Sequence, residues 1–146
     1  MMKRLIQFFI LFISLFFSAG LLGAHCEIPC GIYDDEMRIK MISEHILTIE
    51  KSMKQIMELE KASEHNSNQL IRWVVNKEHH ADELQEIVSQ YFMTQRIKLG
   101  DKDYEKKLTI LHQMLIYSMK CKQTTDLGNI AKLRSLIEEF SSLYFR

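Results

Sequence analysis

Residues that break helices and make tight turns are scarce in this sequence. One proline and five glycines occur among its 146 residues. Because strands joined by short turns depend on such residues, their scarcity argues against a β-rich fold. An excess of charge of one sign is also lacking, since 19 lysines and arginines balance 19 aspartates and glutamates. With no basic stripe along the chain, a nucleic-acid-binding protein is not indicated.

What is present has the composition of a globular protein. Hydrophobic residues make up 47% of the chain and charged residues 26%, which is a usual balance for a folded domain. The length fits one compact domain and is short for two. Composition therefore indicates the class of protein, and the function has to be sought in particular residues.

The longest apolar run lies at the N-terminus. A basic start, "MMKR", precedes the apolar stretch "LIQFFILFISLFFSAGLL", and the small residues Gly23 and Ala24 follow. This order is typical of a secretory signal peptide, so we expect residues 1–24 to be removed by a signal peptidase and the protein to be exported, to the periplasm or outside the cell. An uncleaved membrane anchor is the alternative, because about 18 apolar residues are near the minimum that spans a bilayer.

Residues 34–146 carry four apolar stripes with helical spacing, separated by polar breaks at residues 61–69, 99–103 and 122–129. The stripes are, in chain order, Ile39, Ile42, Ile46, Ile49, Met53 and Ile56; Leu70, Trp73, Val74, Ala81, Leu84, Val88 and Tyr91; Leu108, Leu111, Leu115 and Met119; and Ile130, Leu133, Ile137, Phe140 and Tyr144. Four amphipathic helices with short connections predict an all-α, antiparallel up-down-up-down four-helix bundle.

The helix ends and the leftover apolar residues give further expectations. Asp34, Asp35 and Glu36 suit the positive N-terminus of the first helix. Gly100 is expected to end the second helix and Asp103 to cap the third. Several apolar residues lie off the stripes and are expected to face other subunits: Phe92, Met93, Ile97, Leu136 and Leu143.

The helices lack the commonest metal motif of this architecture. Bundles that hold two iron ions use Glu-x-x-His pairs, and no histidine here has a glutamate three positions before it. His79 and His80 are adjacent and point about 100° apart on a helix, so they cannot bind one metal from one face. Three other histidines stand alone and are expected at the surface or in packing: His45, His65 and His112. Cys121 is expected to be a buried or half-buried thiol.

The nine residues after the leader, "HCEIPCGIY" (residues 25–33, the hook), concentrate donors for a metal ion. If the leader is cleaved, His25 offers an amine and an imidazole, and Cys26 offers an amide nitrogen and a thiol. Cys30 adds a second thiol at a spacing that a tight turn can close, and Gly31 permits whatever backbone angle the exit requires. Thiolates and nitrogen donors in one plane suit nickel(II).

Two other interpretations of these residues stay open. Cys26 and Cys30 could form a disulfide, which an exported setting favours. The protein would then be a non-catalytic helical bundle, exported or membrane-anchored. Alternatively, His25, Cys26 and Cys30 could hold zinc, although adjacent ligands fit a tetrahedral cage poorly and a fourth ligand is missing.

The hook resembles the metal-binding motif of nickel superoxide dismutases, H-C-x-x-P-C-G-x-Y, at the start of the mature chain. The matching residues are His25, Cys26, Pro29, Cys30, Gly31 and Tyr33. The stretches "YDDEMRI" and "KEHHADELQEIVSQYF" also resemble that family. The resemblance covers residues 25–146 and divides the chain into a leader (1–24), a hook (25–33) and a four-helix bundle (34–146).

The resemblance implies an enzyme that converts two superoxide anions to dioxygen and hydrogen peroxide while nickel cycles between Ni(II) and Ni(III). One nickel ion per subunit would be held by the amine of His25, the amide nitrogen of Cys26 and the thiolates of Cys26 and Cys30. The imidazole of His25 would bind axially, and Tyr33 would stand over the open face and gate access. The family's subunits assemble as homohexamers with the hooks at subunit contacts.

Two positions depart from the family pattern. Some members support the axial imidazole with a glutamate just after an Arg-Ile pair in the first helix, where this chain has Lys40. Some also have an arginine in the second helix at the position of His80. Glu44 or Glu78 could take over that support. The sequence thus predicts intact ligands with altered supporting residues, which would affect rate or potential more than nickel binding.

Overall fold

The described part of the chain is a helical body. The computed structural model describes residues 30–146, of which Gly31–Arg146 form one compact unit, and the predicted leader, His25, Cys26 and Pro29 lie outside the described residues. Residues 30–146 form four α-helices, one π-helical segment and no strand: α1 (Asp35–Lys61), α2 (Ser67–Glu86), the π segment (Ile87–Arg96), α3 (Tyr104–Gln123) and α4 (Leu127–Tyr144). No helix in this range is both long and apolar enough to cross a membrane.

Neighbouring helices run antiparallel, which their contacts make clear. Along each pair, residue numbers rise on one helix as they fall on the other. The hydrogen-bonded pairs are His45–His80 and Ser52–Asn76 between α1 and α2; Lys77–Cys121, Ala81–Ser118 and Gln85–Leu115 between α2 and α3; and Asp35–Tyr144 and Glu50–Arg134 between α1 and α4. The predicted all-α four-helix bundle is confirmed.

Three of the helices have an N-cap whose side-chain oxygen accepts a backbone hydrogen bond. Asp34 caps α1 by accepting a hydrogen bond from the Met37 amide at 3.0 Å, as the acidic residues before that helix predicted. Asn66 caps α2 and Asp126 caps α4 in the same way. Asp103 stands at the N-cap of α3, as predicted, but its backbone is left-handed and its side chain makes no capping hydrogen bond.

The connection between the π segment and α3 also differs from expectation. The helical structure already ends at Arg96, with Ile97 as its last capping residue, so Gly100 lies in the following turn and is not a helix cap. Its φ of +86° still requires glycine, because a side chain in that region of backbone space is strained. The sequence therefore located the break correctly and assigned the wrong function to its glycine.

The buried core follows the predicted stripes closely on α1 and α4. Every stripe residue of these helices is buried or packs against the buried cluster. On α3 the stripe residue Leu111 is fully buried, and Leu108 and Leu115 pack against the core, whereas Met119 is exposed. Ile110, Met114 and Cys121, which lie beside the stripe, are buried as well. On α2, Val74 is exposed and Lys77 is buried. The stripe predicted for α3 was therefore confirmed except at Met119, and the buried face is wider than the stripe.

The expectation that the off-stripe apolar residues face other subunits was wrong. Phe92, Ile97 and Leu136 are buried inside this subunit, and Met93 and Leu143 pack against the same core. A bundle helix buries a face at least 100° wide, so residues beside a narrow stripe also point inward. In the π segment the wider turn adds a second reason, because its hydrogen bonds join residues five apart, as between the Ile97 amide and the Phe92 carbonyl.

Candidate metal centre

The structure describes the C-terminal part of the hook. Cys30 is an exposed, free cysteine, and Gly31 has a φ of +78°. That left-handed backbone is the special conformation for which a glycine was expected after the second cysteine. His25 and Cys26, the other predicted nickel ligands, lie outside the described residues.

Tyr33 leaves the hook and packs on the helical body. Its ring meets the ring of Tyr91 edge to face, with centroids 5.9 Å apart. The guanidinium carbon of Arg96 lies 4.2 Å from the centre of the Tyr33 ring, a distance suited to a cation–π interaction. Tyr33 remains 39% exposed, and its hydroxyl makes no hydrogen bond to residues 30–146. One face of this ring is thus held by Tyr91 and Arg96, while the residue as a whole stays partly exposed.

Asp35 connects the start of α1 with the two elements beside it. Its carboxylate accepts two hydrogen bonds from Arg96, at 2.8 and 2.7 Å, one from the Tyr91 hydroxyl at 2.6 Å and one from the Tyr144 hydroxyl at 2.8 Å. The Tyr91 hydroxyl in turn accepts a hydrogen bond from the Asp34 amide at 3.0 Å. We call Asp35, Tyr91, Arg96 and Tyr144 the Asp35 cluster.

The protonation states within the Asp35 cluster follow from these bonds. Burial raises the pKa of the Asp35 carboxyl, but the hydrogen bonds from Arg96, Tyr91 and Tyr144 outweigh it, so the net pKa lies below its ordinary value. Burial and the Asp35 carboxylate raise the pKa of Tyr91 and of Tyr144 to about 12. At neutral pH the cluster therefore holds one carboxylate, one guanidinium and two protonated tyrosines.

The π segment explains how two of these residues reach the same carboxylate. Tyr91 and Arg96 are five residues apart, which in an α-helix would place them about 140° apart around the axis. The side chains of Thr94 and Gln95 bond to carbonyls five residues back, at 2.8 and 3.0 Å, as the backbone does. This wider turn brings Tyr91 and Arg96 onto one side, facing Asp35.

A second arginine lies beside the same aromatic pair. The guanidinium carbon of Arg38 is 5.0 Å from the centre of the Tyr91 ring. Within residues 30–146, Arg38 has no ion pair with a carboxylate, and its remaining polar contact is with the Met41 sulfur. Arg38 thus presents a guanidinium beside Tyr91 that no carboxylate within residues 30–146 pairs with.

A nickel ion needs several donor atoms close together, and few side chains of residues 30–146 could supply them. Within residues 30–146 no three histidine, cysteine or acidic side chains are grouped so that they could hold a metal. The exposed thiol of Cys30, followed by a left-handed glycine, is the predicted nickel ligand that lies in this range. Soft thiolates suit nickel, so the described end of the hook fits such an ion and the bundle interior does not.

Glu44 and Glu78, the residues predicted to support the His25 imidazole, have different surroundings. Glu78 is already paired with Lys77 at 3.2 Å and lies 3.8 Å from Lys122. Glu44 is exposed and makes no ion pair within residues 30–146, as is also true of Lys40. Glu78 is therefore occupied elsewhere, and Glu44 is the freer of the two carboxylates.

The expectation that His45 stands alone was wrong. Its Nδ1 lies 2.9 Å from the Nδ1 of His80, across the α1–α2 contact. The two residues are 35 positions apart, so no local spacing could have indicated the pair. Cys121, by contrast, is buried as expected, and burial raises the pKa of its thiol to about 11.

Sequence reasoning missed the Asp35 cluster as a unit. It placed Asp35 among the acidic residues at a helix start, and it placed Tyr91 and Tyr144 among the core stripes. Arg96 carried no signal, because its role depends on the π turn. The acidic start of α1 was the one visible clue, and it had a sufficient local explanation.

The comparisons with known proteins bear on the whole chain. A family model described as nickel-containing superoxide dismutase matches residues 21–146. No curated protein and no solved structure matches the chain significantly.

Proposed function

Because the chain belongs to the nickel-containing superoxide dismutase family, we propose that its nickel ion cycles between Ni(II) and Ni(III) as two superoxide anions and two protons become dioxygen and hydrogen peroxide. The enzyme is thus an oxidoreductase with superoxide as its substrate and nickel as its cofactor. The family match, which extends over nearly the whole chain, carries this conclusion. The cysteines, histidine and tyrosine of the hook are the residues to which the chemistry is assigned.

The nickel ligands we propose are His25, Cys26 and Cys30. His25 would contribute its amine and its imidazole, while Cys26 would contribute its amide nitrogen and its thiolate. Cys30 would contribute the second thiolate, and the free, exposed state of this cysteine supports the assignment. Anionic sulfur and nitrogen donors favour the higher oxidation state, and one nickel ion per subunit follows from one hook per chain.

Tyr33 would control access to the metal. The ring is held by Tyr91 and Arg96. The residue is partly exposed, and its hydroxyl, which makes no hydrogen bond to residues 30–146, would order water near the substrate. The Tyr91 hydroxyl is less suited to this task, because it already donates to Asp35 and accepts from the Asp34 amide.

The proposal includes export and maturation of the chain. Cleavage after Ala24 by a signal peptidase would create the free amine of His25. Mass spectrometry of the exported protein should show a chain that begins at His25. A catalytically active protein with any other N-terminus would contradict the proposed ligand set.

The ligand assignment is tested by cysteine substitutions in the mature protein. We expect Cys26→Ser and Cys30→Ser each to abolish nickel binding, measured by metal analysis, and superoxide dismutation, because a neutral hydroxyl cannot replace a thiolate. Cys121→Ser is the matched control, since Cys121 is buried in the bundle, and it should keep its nickel. Retention of nickel and activity in either hook variant would contradict the proposed ligand set. A wild-type protein that binds no nickel and has no activity would favour the non-catalytic bundle with a Cys26–Cys30 disulfide.

A further inference from the structure

The Asp35 cluster joins three separate parts of the chain at the point where the hook ends. Asp35 lies in the first turn of α1, Tyr91 and Arg96 lie in the π segment, and Tyr144 is the last residue of α4. Its carboxylate receives four hydrogen bonds between 2.6 and 2.8 Å. Such charge-assisted bonds, including a two-point pair with an arginine, are the strong and directional kind.

The same cluster also holds the two residues that precede it. The Asp34 amide donates to the Tyr91 hydroxyl, and the Tyr33 ring rests against Tyr91 and under Arg96. Tyr91 and Arg96, which hold Tyr33 and Asp34 at the exit of the hook, are therefore themselves hydrogen-bonded to Asp35. Tyr33 follows Cys30 by three residues, so the position of the exit limits where that cysteine can lie.

We propose that Asp35 is a positioning residue for the nickel hook: by holding Tyr91 and Arg96 it fixes Tyr33 and Asp34 and thereby preorganises the hook for its metal. The proposal rests on the proposed function for the identity of the metal. It does not make Asp35 a ligand or a group that touches substrate. A site whose supports are fixed beforehand loses less freedom on binding and binds more tightly.

The substitution Asp35→Asn separates this role from general packing. Asparagine has nearly the same shape and can still accept a bond from a tyrosine, but its amide nitrogen cannot accept from Arg96. Arg96 would lose its two-point partner, and its hold on the Tyr33 ring would loosen. Glu36→Gln is the matched control, because Glu36 lies beside Asp35 in the same turn, is exposed and makes no hydrogen bond within residues 30–146.

The experiment measures two quantities on mature protein. The first is the nickel dissociation constant of the metal-free form, determined by competition with a chelator. We expect Asp35→Asn to weaken nickel binding by about tenfold or more, the usual effect of losing a residue that orients metal ligands. The second is hydrogen exchange at the Asp34 amide in the metal-free protein, which should accelerate in Asp35→Asn. Glu36→Gln should change neither, and far-ultraviolet circular dichroism should show equal helix content in all variants.

A second variant, Arg96→Met, keeps the test decisive if Asp35→Asn does not fold. It removes the same ion pair from the other side, so it should weaken nickel binding similarly. Where both variants fold, their double mutant should lose little more than either single one, because residues that act through one interaction are not additive.

Each result then has a definite meaning. Nickel affinity within twofold of the wild type in a folded variant, or unchanged exchange at Asp34, would overturn the positioning role. If the wild-type mature protein bound no nickel, the proposed function would fail instead. The exchange rate at Asp34 would still show whether Asp35 fixes the exit of the hook.

Discussion

Two tyrosine hydroxyls near the hook differ in their bonding. Tyr91 donates to Asp35 and accepts from the Asp34 amide, whereas Tyr33 makes no hydrogen bond within residues 30–146. We therefore expect Tyr33→Phe to keep its nickel and its stability and to lose part of its activity. Tyr91→Phe should lower the free energy of unfolding by about 1–2 kcal/mol, since it removes two hydrogen bonds. Denaturant titration and metal analysis separate the two outcomes, and complete loss of nickel in Tyr33→Phe would mean that Tyr33 holds the hook and does not gate it.

The His45–His80 pair makes stability depend on pH. Burial lowers the pKa of both imidazoles, and the charges of neighbouring histidines lower it further. Glu83 raises the pKa of both, and Glu44 raises that of His45, but the net pKa of each imidazole lies below its ordinary value. In the unfolded chain these histidines have a pKa near the ordinary value of 6.5. As the pH falls, the unfolded state therefore binds protons before the folded state does. The contribution of the pair to the free energy of unfolding is thus fully present above pH 6.5. It is lost as the pH falls towards the lower pKa values that the two imidazoles have in the folded protein.

The sign of this effect is checked by comparing the unfolding midpoint in urea at pH 8 and pH 5.5. We expect the wild type to be less stable at pH 5.5. His80→Gln should reduce that loss, because one of the two shifted imidazoles is gone. His112→Gln, at an exposed position, is the control and should retain the wild-type loss. An equal loss in His80→Gln and in the wild type would assign the pH dependence to other groups.

Two turns with left-handed glycines serve different elements. Gly31 has a φ of +78° and Gly100 a φ of +86°, and an added Cβ would meet no atom within 4 Å at either position. Alanine at each would therefore cost about 1–2 kcal/mol of backbone strain without any clash. The two substitutions carry matched strain and differ in location, one in the hook and one in the turn before α3.

Because the two substitutions carry similar backbone strain, comparing them separates the contribution of the hook from that of the turn before α3. Gly31→Ala should weaken nickel binding by up to about tenfold and leave the unfolding of the bundle unchanged, because Gly31 is exposed and lies outside the buried core. Gly100→Ala should lower the melting temperature and leave nickel affinity unchanged. Chelator competition and thermal denaturation give the two readouts. A Gly31→Ala protein with wild-type affinity would show that the hook can close without the left-handed angle.

The structure indicates a different surface for subunit contacts from the one that the sequence predicted. The residues first expected at subunit contacts are buried within the subunit, whereas Ile71, Val74 and Val75 of α2 are between 38% and 62% exposed. Ile71 and Val75 lie four residues apart, on one face of the helix. A group of exposed apolar side chains of this kind is typical of an interaction surface.

We expect the mature protein to be oligomeric, and a hexamer is the state that the family resemblance indicates. Ile71→Lys combined with Val75→Lys should produce smaller species in light scattering and lower activity before helix content falls. Leu99→Lys is the control, because Leu99 is 87% exposed in a turn outside this surface. A wild-type protein that is a stable and fully active monomer would contradict the need for assembly and leave the nickel assignment intact.

The sequence by itself determined the helices and the candidate ligands. Apolar spacing is a local property, so it indicated the buried faces of α1 and α4 and the presence of all four helices. The capping aspartate Asp34 and the hook motif are likewise read from neighbouring residues. Family membership followed from the same linear pattern, which the family match covers.

The tertiary structure decided which distant residues meet. Asp35 contacts residues 56, 61 and 109 positions away, and His45 finds His80 only through the register of α1 against α2. Periodicity tells which face of a helix is buried but not how far two helices slide along each other, because that depends on the packing of all four. The π turn that brings Tyr91 and Arg96 to one carboxylate changes the period itself, so a reading based on α-helical spacing could not place them together.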